Sequence, residues 1–413
     1  MTASGDQSAV SARGKGASRR AMALRGFLCQ NVAIGCTFGS FGVAVPTLQR
    51  HYGVGSAMAS LCLALVVMMM GLGSPLVGRM IERIGLRATM LTGLVLTGLG
   101  NVALAYAPSF PFVLLAYALP IGLGLAMFGP FPASVLAARW FQPNPGTAIG
   151  FVNTPVLGAL VPMAIAPLLT ALGLTGLFLL VACVHVLLLP VIHGIADPPE
   201  SADAPVLVQA ASIAPPLRVL SRPLFWLIAV GSGILYASGV TGSSHVFALG
   251  IESGLGTDSA AMLLSIMGAA SIAGAFGAGM LCSRIGAPLT LAVIAGCMAL
   301  AWLALLSLHE FAHMAPLIGV LGAGASGVFP VVNVLVGQGF GLPATVRVVG
   351  LLGLATLPLS FGLPPLVGML HDTTGGYAAS ELALSAGCGL VAVIFLAVAR
   401  WSAGRSRNLS PAF

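Results

Sequence analysis

Apolar residues run through this chain in long blocks, broken by short polar or glycine-rich intervals. A helix needs about 20 apolar residues to cross a bilayer. Twelve blocks meet that length, at 24–46, 57–80, 88–107, 111–137, 147–170, 174–193, 223–250, 258–282, 287–308, 314–339, 347–370 and 378–399; they are numbered spans 1 to 12. Only Pro108, Ser109 and Phe110 separate spans 3 and 4, which predicts a tight turn. The longest polar interval, 194–222, holds Asp197, Pro198, Pro199, Glu200, Asp203 and Arg218 and reads as a linker. The expected order is a tail (1–23), a six-helix half (24–193), the linker (194–222), a second six-helix half (223–399) and a second tail (400–413).

Charge fixes the orientation. With the N-terminus in the cytoplasm, Arg13, Lys15, Arg19, Arg20, Arg25, Arg79, Arg83, Arg87, Arg139, Arg218, Arg222, Arg284, Arg347, Arg400, Arg405 and Arg407 all fall inside, and of the 17 basic residues only Arg50 falls outside. The excess of Lys and Arg on cytoplasmic loops then places both termini inside a cell (inner) membrane. Glu252, Asp258, Glu310, Asp372 and Glu381 read as outer-loop residues. A basic N-terminus before an apolar run could be a signal peptide, but the run is too long and eleven more follow, so it is expected to stay as a helix.

Composition agrees. The chain is 58% hydrophobic and 7% charged, with mean hydropathy +1.04. Soluble proteins carry about 25% charged residues, so a soluble enzyme is excluded, and disorder needs the opposite balance. The net charge of +7 is accounted for by loop placement and does not imply nucleic acid. The seven cysteines lie in apolar segments without a CxxC pair and read as packing residues. No metal site, cofactor, phosphate loop or nucleophile triad is expected.

The chain also resembles itself. Gly53, Gly55, Gly73, Gly78 and Gly85 recur 201 residues later as Gly254, Gly256, Gly274, Gly279 and Gly286, and Arg83 recurs as Arg284. Gly122, Gly124, Pro130, Pro143 and Gly150 recur at 200. The two halves are therefore copies of one unit. Six crossings is an even number, so the copies run parallel, related by an axis along the membrane normal.

After span 2 stands Gly78-Arg79-Met80-Ile81-Glu82-Arg83-Ile84-Gly85-Leu86-Arg87. It resembles the loop signature of the major facilitator transporters, Gly-x-x-x-Asp-Arg-x-Gly-Arg-Arg. The resemblance implies an all-α membrane protein with twelve transmembrane helices in two parallel six-helix pseudo-repeats. It also implies a cytoplasmic latch formed by Gly78, Glu82, Arg83, Gly85, Arg87 and Arg284, engaged when the outer side is open. Glu82 replaces the aspartate, Leu86 replaces the first arginine of the pair, and the second copy lacks the acid.

Within that superfamily several segments look like the monocarboxylate transporter and oxalate/formate antiporter group. These are Gly39 to Gln49 with Tyr52-Gly53; Tyr117, Gly122 and Gly124; Arg139-Trp140-Phe141; and Pro364-Pro365-Leu366-Val367-Gly368-Met369-Leu370-His371-Asp372 with Gly376-Tyr377. The likeness covers nearly the whole chain. It departs in span 8, which is uncharged, and in span 11, where Arg347 stands only at the cytoplasmic mouth. Span 5 carries Gly150-Phe151-Val152-Asn153-Thr154-Pro155-Val156-Leu157-Gly158-Ala159, similar to the antiporter signature of drug exporters.

No Asp, Glu, Lys or Arg lies near the middle of any span. Ionisable groups at that depth are costly and usually functional, so a small substrate of little or no net charge is expected. The resemblance makes spans 1, 4, 7 and 10 cavity-lining. On that basis Asn31, Tyr117, Tyr236, His245 and Asn333 are the expected substrate contacts. Ser238 and Thr241 precede His245 by seven and four residues and share its helix face, and a histidine there offers a proton switch. His185 is expected to pack against a backbone carbonyl. The expected function is secondary active transport of a small organic anion, a monocarboxylate, by alternating access. Export of hydrophobic compounds is the alternative. The expected partners are a small-molecule substrate, the lipid bilayer and, as candidate coupling ions, protons; the expected state is a monomer.

Overall fold

A computed structural model describes residues 18–141, 146–197, 219–341 and 345–408. Most of the N-terminal tail, the greater part of the expected linker and the last five residues lie outside the described residues. Lipid offers no hydrogen bonds to the backbone, so each apolar run closes its own bonds as a helix. Among the described residues, eleven helical stretches are long and apolar enough to cross a membrane.

One of the eleven, Thr147–His193, has 47 residues. As a straight helix it would be about 70 Å long, more than twice the hydrocarbon thickness of about 30 Å. It folds back at Gly173, whose φ of 67° and ψ of −175° interrupt the helix in a region that only glycine enters freely. Spans 5 and 6 are thus separate crossings, and twelve result. The other stretches are span 1 (Arg19–Tyr52), span 2 (Ser56–Ile84), span 3 (Leu86–Ala105), span 4 (Phe110–Trp140), span 7 (Pro223–Glu252), span 8 (Thr257–Ile285), span 9 (Ala287–Leu305), span 10 (Phe311–Phe340), span 11 (Arg347–Thr374) and span 12 (Ala378–Arg400). Helix 1 begins at Arg19, five residues before the expected 24.

The duplication is visible in the backbone. Left-handed glycines recur in corresponding corners of the two halves: Gly53 (φ 64°) with Gly254 (φ 87°), Gly85 (φ 84°) with Gly286 (φ 84°), and, shifted by one residue, Gly173 (φ 67°) with Gly375 (φ 75°). Packing repeats too. Span 3 lies against span 6 in the first half, where Gly98 faces His185, and span 9 lies against span 12 in the second. Across the halves span 2 meets span 11, span 5 meets span 8, and span 1 meets span 7. Exchanging the halves maps the first two contacts onto each other, as parallel repeats require.

The structure corrects the reading of Glu381 as an outer-loop residue. Span 12 begins at Ala378 as expected, but Glu381 in its first turn faces spans 7, 9 and 11 and is 3% exposed.

Candidate functional site

The seam between the halves is closed at one end and open at the other. The side carrying the arginine clusters is called the basic side, and the opposite one the far side. At the far side, span 2 starts after Gly55, which has no side chain to cap the helix. Asp372, from span 11 in the other half, does so instead. Its Oδ1 accepts the Ser56 N–H at 2.9 Å and its Oδ2 the Ala57 N–H at 3.0 Å. A carboxylate at a helix N-terminus satisfies orphan donors and meets the positive end of the dipole. Gly368 and Gly42 let backbones close in: a methyl group added to them would lie 2.5 Å from Ala57 N and from Ser243 O respectively. Near the middle, an added methyl would lie 2.5 Å from Leu357 Cδ2 at Gly71 and 2.5 Å from Gly158 O at Gly268.

Toward the basic side the same faces part. Gly78 lies seven residues beyond Gly71 in span 2, Gly279 eleven beyond Gly268 in span 8, and Gly350 seven before Leu357 in span 11. Each step returns to within about 20° of the same helix face, yet nothing lies within 4 Å of a methyl group placed at Gly78, Gly279 or Gly350. The halves therefore touch from the far side to mid-span and separate below it.

The expected latch residues stand on the open side. Glu82, Arg83 and Arg284 are exposed, and among the described residues no ion pair joins them to the other half. Gly85 forms the corner between spans 2 and 3, with φ 84° and ψ 160°. Arg87 lies 2.7 Å from His193 Nδ1 at the end of span 6, so it ties its own half together.

The five expected substrate contacts do not converge. Asn31 is 1% exposed and braces span 5 across a break at Pro155. Its Nδ2 donates to Phe27 O at 3.0 Å and Thr154 O at 2.9 Å, and its Oδ1 accepts the Leu157 N–H at 2.9 Å. Tyr117 is buried in a π-helical turn, Tyr117–Leu123, and meets Phe41 edge-on at 5.6 Å. His245 is buried within the second half, with Nε2 3.0 Å from Pro364 O and Nδ1 3.2 Å from Tyr377 Oη. Ser238, on the same face, accepts the Trp302 N–H at 2.8 Å. Tyr236 and Asn333 remain accessible. Tyr236 is 46% exposed and points about 130° away from the outward face of Trp226, Leu227 and Val230, at about 100° per residue. Asn333 sits about 150° round its helix from Leu317 and Val320, which line a surface groove with Leu300. His185 packs as expected, its Nδ1 2.7 Å from Val181 O.

A polar cluster at the far side of the second half went unassigned at the level of sequence. His371 Nε2 meets Glu252 Oε2 at 3.0 Å, and its Nδ1 meets Ser56 Oγ at 3.2 Å. Its ring lies 4.4 Å from that of Tyr377, which reaches His245. The stretch from Pro364 to Asp372 marks the place in the sequence, but nothing there reveals that Asp372 caps a helix more than 300 residues away.

Comparison with known proteins fits this architecture. The Major Facilitator Superfamily profile matches residues 27–365. Mouse monocarboxylate transporter 11 is 29% identical over 84% of this chain and 80% of its own, and the human protein is 27% identical over 83% and 75%. Among solved structures, an inward-facing, unoccupied bacterial homologue of the human lysosomal transporter Spinster superposes with a TM-score of 0.71 at 15% identity, covering 92% of this chain and 97% of that one. A POT family transporter in complex with 5-aminolevulinic acid gives 0.71 at 14%, covering 92% and 96%. At such identities the shared feature is the fold. With twelve crossings in two parallel copies and a profile match over most of its length, the chain belongs to the Major Facilitator Superfamily.

Proposed function

We propose that this transporter moves a small organic monocarboxylate by alternating access, with the basic side facing the cytoplasm of a cell (inner) membrane. The observation that carries the reading is the asymmetric seam: close-packed from the far side to mid-span, open below along the same faces of spans 2, 8 and 11. Rocking about the middle would exchange the two ends, and the last turn of span 2, with Glu82 and Arg83, would then meet the opposite half. Three things support the substrate class. Mid-span positions carry no Asp, Glu, Lys or Arg, which disfavours a multiply charged solute. Tyr236 and Asn333 offer a hydroxyl and an amide on faces turned from the bundle exterior. The curated relatives are monocarboxylate transporters by name. A second reading, export of hydrophobic compounds, draws on span 5, where the antiporter-like stretch breaks at Pro155 and Gly158 touches span 8.

Thermal unfolding of the purified protein with short monocarboxylates, dicarboxylates and hydrophobic drugs separates the two, since a ligand that binds the native state raises the melting temperature. A shift with monocarboxylates alone supports the proposal. A shift with drugs alone overturns it in favour of export.

A further inference from the structure

We propose that Glu381, with His245 across a small enclosed cavity, forms a proton-binding site that closes the far-side gate when it is occupied. The proposal rests on the alternating-access reading and adds the ion that sets its far-side equilibrium.

The cavity, about 10 Å3, lies between spans 7, 9, 11 and 12, and Thr241, His245, Trp302, Tyr377, Ser380 and Glu381 contribute to its wall. A space of that size holds at most one water molecule. Glu381 is 3% exposed, and its Oε1 is buried with no hydrogen-bond partner. No lysine or arginine pairs with it among the described residues. A carboxylate shut away from water without a cation is very costly, so it enters such a place with a proton attached.

The other titratable groups around it form one connected set. His245 and Glu252 come from span 7, His371 and Asp372 from span 11, and Tyr377 from the turn between spans 11 and 12. His245 joins Tyr377, Tyr377 packs against the His371 ring, and His371 contacts Glu252 and Ser56. Ser56 is also where Asp372 caps span 2. Arg50, the basic residue at this side, turns to Pro46 O and Thr47 Oγ1 instead. Cys388 lies two helical turns deeper in span 12 and is buried.

The site is thus continuous with the contact that shuts the far side. Opening that side separates span 11 from span 2 and lets water reach the cavity. Glu381 then ionises, and its proton leaves as hydronium to the far-side medium. Closing reverses the step: one proton passes from far-side hydronium to a Glu381 carboxylate oxygen, and the neutral side chain is buried again. The sign follows. Low far-side pH favours the closed gate, and high pH favours the open one.

The test measures the distance between labels at the far-side ends of the two halves, at position 106 after span 3 and 313 in the first turn of span 10, in proteoliposomes across a range of pH without substrate. In the otherwise unaltered protein the distance should lengthen as pH rises. Glu381→Gln, which keeps the size and removes the titration, should hold the short distance throughout. His371→Asn should keep a pH response. A pH-dependent distance in Glu381→Gln, a response lost in His371→Asn but kept in Glu381→Gln, or a distance that follows sodium and not pH would overturn the proposal. If Glu381→Gln fails to fold, the unaltered protein still decides. A protonated-carboxyl infrared band should be present at low pH and fade as the distance lengthens; a distance change without that band overturns the site. The readout needs no substrate, so a wrong substrate class leaves it intact.

Discussion

Gly85 and Gly78 belong to one sequence motif but answer to different physics. Gly85 holds φ 84° and ψ 160° at the corner where span 2 ends and span 3 begins, and Gly286 holds φ 84° and ψ 159° at the equivalent corner. A residue with a Cβ is strained there by about 1–3 kcal/mol. Gly85→Ala should therefore lower the melting temperature in detergent, and an unchanged melting curve would show that the corner can relax. Gly78 is helical, with nothing within 4 Å of an added methyl. Gly78→Ala should leave melting unchanged or raise it, since alanine is the better helix former. Its transport should fall, because its face must meet span 11 when the basic side closes. Stability and transport thus separate two glycines seven residues apart.

At the scale of the element, span 5 is instructive. Pro155 has no N–H and disfavours helix in the residue before it, so the helix Gly146–Val152 stops and another resumes at Val156. The break leaves the Leu157 N–H to be satisfied, and Asn31 of span 1 accepts it while also donating to Thr154 O, which takes the Val156 N–H as well. Asn31→Ala strands the half-buried Leu157 N–H at a cost of about 1–3 kcal/mol, read as a lower melting temperature. A side chain held only for substrate would change KM and leave melting alone. The proline was legible in the sequence and so was the oddity of an asparagine in an apolar span; their meeting was not, because it depends on how spans 1 and 5 pack. The crossings themselves were legible because bilayer thickness imposes a length on each run, and even the fold-back at Gly173 fell between two expected spans. Glu381 fell the other way. It lies three residues inside the expected start of span 12, and at that resolution no hydropathy pattern tells a loop carboxylate from a buried one.

For the whole molecule, the two ends of the seam should act as opposing weights on one equilibrium. Asp372 holds the far side shut with two charge-assisted hydrogen bonds to span 2, bonds that contribute about 1.5–3 kcal/mol each. Asp372→Ala should raise the far-side-open population about tenfold or more, at 1.4 kcal/mol per factor of ten. Arg83 is exposed and unpaired across the seam in this conformation, so Arg83→Ala should fold normally. In the opposite conformation its loop would close the basic side, and its loss should depopulate the far-side-open state and slow transport in proteoliposomes. Labels at positions 106 and 313 would report a longer mean distance for Asp372→Ala and a shorter one for Arg83→Ala. The double variant weakens both ends, so its distance should lie between those of the singles. If Arg83→Ala instead lengthened the distance as Asp372→Ala does, the loop after span 2 would not be closing the basic side, and the rocking of the halves would need a different inner contact.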